Sequence, residues 1–260
     1  MVLLTVFFFG IELDDFVPFK IPIFTSLKFN IIMKKIIVPF FCAVLFSTSA
    51  VAQKKSTATV KSTASTSQIT PKQVIDNYLT ALGGKDKLMA VKSTVIENVI
   101  SAQGMEINST TKKMGNKFKS VQSVMGQEMT QVFDGEKGYS NQMGTKTDFP
   151  ADKIPELKKS QTIDALAYDP SSFQTVAVEK LDGKDYNVLS SDKGKFYFDA
   201  ATGLLYKAGS GQGDAIMKSY MTVDGIKFPE LIEAEGSGQK VSIRTTKVTL
   251  NSGVTEADFK

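Results

Sequence analysis

Histidine and tryptophan are absent from the 260 residues, and cysteine occurs once, at Cys42. Without His or a second Cys the chain cannot assemble a zinc site of the usual nitrogen and sulfur ligands, a Ser-His-Asp triad, a Cys-His pair or an intrachain disulfide. Most hydrolase and metalloenzyme chemistries are excluded on that ground, and no metal or other cofactor is expected. Arginine is nearly missing too: 30 of the 31 basic residues are Lys, and Arg244 is the exception. A guanidinium fork is the usual means of gripping phosphate or reading guanine, so one Arg and a net charge of +4 do not predict nucleic-acid recognition.

The aromatic residues that are present are unevenly spread. Ten of the 18 Phe precede residue 53, leaving eight for the rest of the chain. Within that N-terminal part, Met33-Lys34-Lys35 reads as a charged n-region and Ile36 to Phe46 as an apolar h-region. Ala50-Val51-Ala52 fits the small-residue cleavage pattern before Gln53. Residues 33–52 are therefore expected to be a cleavable secretory signal peptide. The apolar run is well short of the ~20 residues that a spanning helix needs, and Cys42 sits inside the h-region rather than at the cleavage point, so lipidation is not expected. Residues 1–32 lack helical or strand periodicity and precede a complete n-region. They read as an over-extended gene start with Met33 as the initiator, or alternatively as a long signal with an extra apolar segment.

The exported chain, Gln53 to Lys260, has 27 basic and 24 acidic residues and no Cys, so its stability has to come from a hydrophobic core. Residues 53–68 are almost entirely Lys, Ser, Thr and Ala and read as a flexible linker. Thr70-Pro71-Lys72-Gln73 then supplies an N-cap, a Pro at the first helical position and the Gln of a capping box. Val74, Ile75, Tyr78, Leu79 and Leu82 follow at helical spacing up to Gly83-Gly84. Leu88, Met89 and Val91 mark a short second helical turn.

From Ser93 the apolar pattern changes to period two, with turn signals every 8 to 12 residues. Twelve strands are predicted: 94–103, 106–114, 117–125, 128–133, 137–143, 175–181, 186–190, 195–199, 204–209, 215–223, 226–235 and 240–250. Asp134-Gly135, Asp182-Gly183 and Asp224-Gly225 suit hairpin turns that need positive φ, and 200–203 suits a longer turn. Pro229 inside a strand argues for an edge position or a bulge. The apolar phase switches between Val241/Ile243 and Val248/Leu250, which predicts a bulge near 245–247. A short helix is expected within 151–163, crossing between two sheet halves. The fold class is therefore mainly β: a curved antiparallel sheet of about 10–12 strands forming an open or half β-barrel over residues 69–260, with an N-terminal helix and a short inserted helix.

Chemistry is harder to place. Glu230, Glu233 and Glu235 read as a solvated strand face and the Asp-Gly pairs as turns, so paired-carboxylate catalysis is not supported. The acidic loops carry interleaved Lys where a calcium loop needs carboxylates. Gly209 to Gly213 lies between two strands, whereas a phosphate loop opens a helix. Methionine is the unusual count that remains, with Met89, Met105, Met114, Met125, Met129, Met143, Met217 and Met221 after residue 52. Unbranched, polarisable side chains suit either irregular core or an adaptable apolar ligand surface.

Ala81 to Leu88 (ALGGKDKL), Val132 to Tyr139 (VFDGEKGY), Lys195 to Leu205 (KFYFDAATGLL), Val223 to Pro229 (VDGIKFP) and the closing Asp258-Phe259-Lys260, in this order, resemble the LolA-like outer-membrane lipoprotein-sorting proteins of Gram-negative bacteria. The resemblance covers about residues 69–260. It implies an open β-barrel closed by helices, whose concave apolar face holds acyl chains in the periplasm. Similar domains also occur as non-catalytic extensions of zinc peptidases, and the missing His rules out transferring that peptidase activity. Dedicated carriers close their lid with an early-strand Arg, whereas Arg244 is in the last strand; this departure counts against lipoprotein hand-over and leaves apolar-ligand binding.

The expected function is thus a periplasmic, non-enzymatic protein that binds or carries a lipid-like acyl ligand, with lipid or lipoprotein acyl chains and an envelope protein as partners, peripheral to a membrane at most. The candidate lining residues, apolar and on predicted strands, are Met129, Phe133, Phe196, Phe198, Met217 and Met221. Strand parity pairs Met129 with Phe133, Phe196 with Phe198 and Met217 with Met221 without saying which face is concave. Two alternatives are a structural or interaction module of the envelope with a filled barrel, and a Lys- or carboxylate-based hydrolase for which no residue stands out. N-terminal sequencing of the secreted protein is predicted to begin at Gln53, and mutation of the Met33 codon to abolish expression; a mature chain that begins upstream of Met33 would overturn the leader reading.

Overall fold

The computed structural model describes residues 69–211, 213–236 and 238–260. The leader, signal peptide and linker expected over residues 1–68 lie outside the described residues. Helix α1, Pro71–Leu82, begins as its sequence predicts: Thr70 Oγ1 accepts from Gln73 N, and the Gln73 side chain accepts from Thr70 N at 2.8 Å. The apolar positions at helical spacing, Val74, Ile75, Tyr78, Leu79 and Leu82, are all buried. Gly83 ends the helix at φ +135°, and a Cβ there would stand 2.5 Å from the Gly225 carbonyl, so only glycine lets the helix end lie on that hairpin turn. Helix α2, Lys85–Ala90, buries Leu88 and leads into the sheet.

Thirteen antiparallel strands form one unclosed sheet: β1 Ser93–Ala102, β2 Met105–Met114, β3 Lys117–Val124, β4 Gln127–Phe133, β5 Gly138–Gln142, β6 Thr145–Asp148, β7 Thr175–Leu181, β8 Lys184–Ser191, β9 Gly194–Asp199, β10 Leu205–Ser210, β11 Gly213–Val223, β12 Ile226–Gly236 and β13 Gln239–Leu250. Twelve match the predicted strands within a few residues. The thirteenth, β6, is Thr-Lys-Thr-Asp, wholly exposed at a sheet edge, and carries no apolar alternation that could announce it.

The strand order is β6-β5-β4-β3-β2-β1-β13-β12-β11-β10-β9-β8-β7. Two meanders, β1–β6 and β7–β13, are thus joined by the pairing of β1 with β13. Strands β6 and β7, consecutive in sequence, end at opposite edges. The chain between them, residues 149–174, has to cross the sheet. It does so through a short helix, α3 Ile154–Leu157, and the 3-10 turns Asp164–Ala167 and Pro170–Ser172. A connection this long is uncommon unless it has work to do.

The irregularities fall where the pattern breaks. Glu97 pairs with Lys247 and Asn98 with Thr245, leaving Thr246 as the extra residue of the bulge foreseen in the last strand. Strand β12 is interior to the sheet, so Pro229 belongs to a bulge rather than an edge; the β11–β12 register shifts on either side of Ser219, next to the Tyr220–Pro229 pair. Asp182-Gly183 and Asp224-Gly225 both have positive φ, as the two-residue turns require. At Asp134-Gly135 only the Gly does; Asp134 instead accepts the Glu136 and Lys137 N–H groups with its own carboxylate, both at 2.8 Å, which holds that carboxyl below the usual range. Met125 and Met143, expected on strands, stand at hairpin turns at φ near +50° and are 90% and 68% exposed.

Three apolar clusters hold the sheet. The main one lies between its inner face, α1, α2 and the crossing segment, and includes Leu79, Leu88, Ile163, Phe196, Phe198 and Ile243. A second joins Phe118 and Phe133 to Leu157 of α3, with Phe149 and Ile154 beside them. The third, Tyr186, Val188 and Tyr197, covers the other side of β8–β9, where alternate residues such as Leu189 and Phe196 face the main core. At the C-terminus Phe259 is buried, and Asp258 receives Lys112 at 2.6 Å. That hydrogen bond, with one from Thr255 N, brings the Asp258 carboxyl down to about 2.

Candidate ligand-binding site

The inner face of the sheet, α1 and the crossing segment enclose a cavity of about 130 Å³. Its two walls differ in chemistry. The wall from β9–β13 is largely apolar, with Phe196, Leu205, Ala208, Met217, Ile232 and Ile243, interrupted by Lys227 and Thr245. The opposite wall comes from β1–β3 and places Asn98, Thr111 and Lys113 beside Ile96 and Phe118. Tyr78 and Leu82 of α1 and residues 162–165 and Tyr168 of the crossing segment complete the enclosure. The charged residues of the lining are Lys113, Asp164 and Lys227.

Aromatic edges tie the crossing segment to its surroundings. Tyr168 meets the rings of Tyr78 and Phe196 edge-on, both at 5.9 Å, and Phe173 meets Phe196 at 5.7 Å. Such contacts add roughly 0.5–1.5 kcal/mol each beyond area burial. Tyr78 is bonded to Tyr220, whose hydroxyl in turn donates to the Leu205 carbonyl at 2.6 Å. Burial pushes the phenols of Tyr78, Tyr168 and Tyr220 well up, which keeps all three neutral.

The Lys113 ammonium donates to the Asp164 carboxylate, tying β2 to the crossing segment; the two side chains are 6% and 19% exposed. An early-strand cation does face the segment that covers the cavity, but it is a lysine, while Arg244 is exposed on β13. Thr162 adds a polar tie by accepting from Gly115 N at 2.8 Å.

Of the six residues singled out from the sequence, Phe196 and Met217 line this cavity. Phe198 packs in the same core against Tyr78, with ring centroids 5.2 Å apart, and Met221 packs beside that core half-buried. Phe133 is in the second cluster with Phe118, and Met129 is half-buried on β4. The structure thus brings together Phe196, Phe198, Met217 and Met221 and sets Met129 and Phe133 apart. Tyr78, Ile96, Lys113 and Asp164 were missed. A helix that caps its sheet is a signal for Tyr78, whereas nothing local announces a pair 51 residues apart. A second crevice, between α1 and the β9–β10 turn, is lined by Asn77, Thr80, Asn187 and Thr202 among others and has no titratable side chain. Among the described residues no cluster of three carboxylates could hold a metal ion, and no helix is long and apolar enough to cross a membrane.

No protein-family model matches the sequence, and no curated protein matches it. Among solved structures the chain is similar to a DUF1329 family protein from Desulfovibrio piger, at 14% identity over 74% of this chain and 98% of that chain, with a TM-score of 0.49. It is similar to a LolA superfamily protein from Nitrosomonas europaea at 14% identity over 74% and 98% of the chains, with a TM-score of 0.48. The Mycobacterium tuberculosis lipoprotein LppX is similar at 12% identity over 71% and 97%, with a TM-score of 0.34.

The ion pair sets a stability test. Removing one member of a buried pair leaves a charge unpaired, at a cost of roughly 3–5 kcal/mol, whereas replacing both by apolar groups is close to neutral. Asp164→Ala, which strands the more deeply buried Lys113, is predicted to lower the urea-unfolding free energy by about 3 kcal/mol and Lys113→Met by less. The double variant Lys113→Met/Asp164→Leu should recover most of the loss. Additive losses in the double variant would show that the two charges do not act as a pair.

Proposed function

We propose that the protein is a non-catalytic, periplasmic binder of an acyl chain, held between the inner face of the sheet and the crossing segment. The observation that carries this reading is that the largely apolar β9–β13 wall is covered by a long connection rather than by a second sheet. In its closed form the cavity is close to the ~150 Å³ of an engineered cavity that takes up benzene, so it admits only a few carbons. A longer chain enters by taking the place of the crossing segment's own apolar side chains, among them Ile163, Leu166 and Tyr168. At about 25 cal/mol per Å², burying about 330 Å² of hydrocarbon supplies the ~8 kcal/mol of a micromolar complex before ordering costs.

The small closed volume also favours a second reading, an envelope module whose inner space is filled by its own side chains and which acts by docking a partner. The two separate by experiment. On the first reading, protein purified from its own periplasm carries lipid in native mass spectrometry, and the delipidated protein takes up the uncharged probe N-phenylnaphthylamine. Ala208→Phe, which fills the cavity at a cost of roughly 1–3 kcal/mol of stability, should weaken the probe by at least about tenfold while circular dichroism stays unchanged. A lipid-free protein that ignores the probe would leave the filled-module reading.

A further inference from the structure

The inner wall formed by β1–β3 is more polar than a hydrocarbon ligand requires. Buried polar residues of the described chain are Thr94, Asn98, Ser109, Lys113 and Ser120 on the inner face of β1–β3, Ser93 on the other face of β1, and Ser160 on the crossing segment. Burying such groups costs free energy unless each finds a partner. Several do: Thr245 donates to Asn98 Oδ1 at 3.0 Å, the Thr111 and Ser120 hydroxyls lie 3.2 Å apart, and Lys113 holds Asp164. Two do not. Thr94 Oγ1 and Ser160 Oγ are buried without a hydrogen-bond partner, and both residues are essentially inaccessible. Thr94 is the register partner of Lys113 across β1 and β2, and register partners share a sheet face. A residue with an orphan hydroxyl and one with a buried ammonium are therefore neighbours on one face of β1–β2, and Lys113 of the two lines the cavity.

We infer that the ligand is amphipathic, a single acyl chain whose anionic head, a carboxylate or a phosphate monoester, takes the place of the Asp164 carboxylate on Lys113. The inference rests on the acyl-binding reading above and names the ligand class for that site. A buried ammonium needs a counter-anion. In the closed form Asp164 supplies it, but Asp164 rides on the crossing segment, which has to move for any chain longer than a few carbons. When the segment moves away, Lys113 is left unpaired unless the incoming molecule brings a negative charge. A neutral head leaves that cost in place. An anionic head removes it, and the Thr94 hydroxyl becomes a second donor to the same oxygens while the chain runs along the β9–β13 wall. Admission of the chain and selection of its head are one exchange of anions.

The test compares dodecanoate, dodecyl phosphate and methyl dodecanoate as displacers of N-phenylnaphthylamine from the delipidated full chain. The wild type is expected to bind at least one of the two anions on the order of tenfold tighter than the neutral ester, and the tighter of the two identifies the natural head as fatty-acid-like or phosphate-like. In the double variant Lys113→Met/Asp164→Leu the preference should vanish with affinity for the ester retained. Asp164→Asn, which removes the carboxylate that has to leave Lys113 and keeps the shape, should strengthen the anions and the ester alike and preserve the preference between them. Equal affinity for all three in the wild type overturns the anionic-head inference, and a preference that survives the double variant overturns its assignment to Lys113 in favour of Lys227, the other cation of the lining; either result leaves acyl binding intact. Failure of the neutral probe and the ester alike would instead remove the acyl-binding reading itself.

Discussion

Because β1 pairs with β13, the two meanders lie side by side in one sheet, and the strands that adjoin the break between them, β6 and β7, are left at its opposite edges. The backbone that joins those edges has to travel the width of the sheet. It supplies a cover for the inner face that a closed barrel would not need. Most other features follow. Ile163 and Ala165 enter the main core, Tyr168 and Phe173 lock edge-on against Tyr78 and Phe196, and α3 closes the second apolar cluster over Phe118 and Phe133. All eight Phe after residue 52 are buried or half-buried. The aromatic residues that remain in the folded part are thus spent on fastening the cover as much as on filling the sheet.

A cover fastened only by apolar contacts would be indifferent to what replaces it. The Lys113–Asp164 pair changes that. One partner belongs to the sheet and the other to the cover, and neither is exposed enough for solvent to stand in for its mate. In the proposed anion exchange the same pair both holds the crossing segment to the sheet and makes its release depend on the charge of the incoming molecule. This is why the polar β1–β3 wall and the apolar β9–β13 wall belong to one site rather than two.

Much of the fold was legible because it is written locally. The capping box at Thr70, the Asp182-Gly183 and Asp224-Gly225 turns and the phase change between Ile243 and Val248 each reflect a short-range rule, and each is met in the structure. Strand β6 was not legible, since Thr-Lys-Thr-Asp at an exposed edge has no face to bury. The site was legible only in part. Parity correctly paired Phe196 with Phe198 but could not choose the inner face, and the methionines looked like the lining although Met217 is the one that reaches the cavity. In β2 the alternation Ile107, Ser109, Thr111, Lys113 carries too few apolar residues to mark a buried face. It is turned inward, and the carboxylate that partners Lys113 lies 51 residues later in the chain, on the crossing segment.

The central claim is that a ligand takes the place of the crossing segment. Hydrogen exchange of the delipidated full chain, measured with and without saturating dodecanoate, addresses it directly. The account predicts that amides over 160–173 exchange faster in the complex while β9–β13 keep their protection. Unchanged or increased protection over 160–173, with dodecanoate shown to be bound, would contradict it.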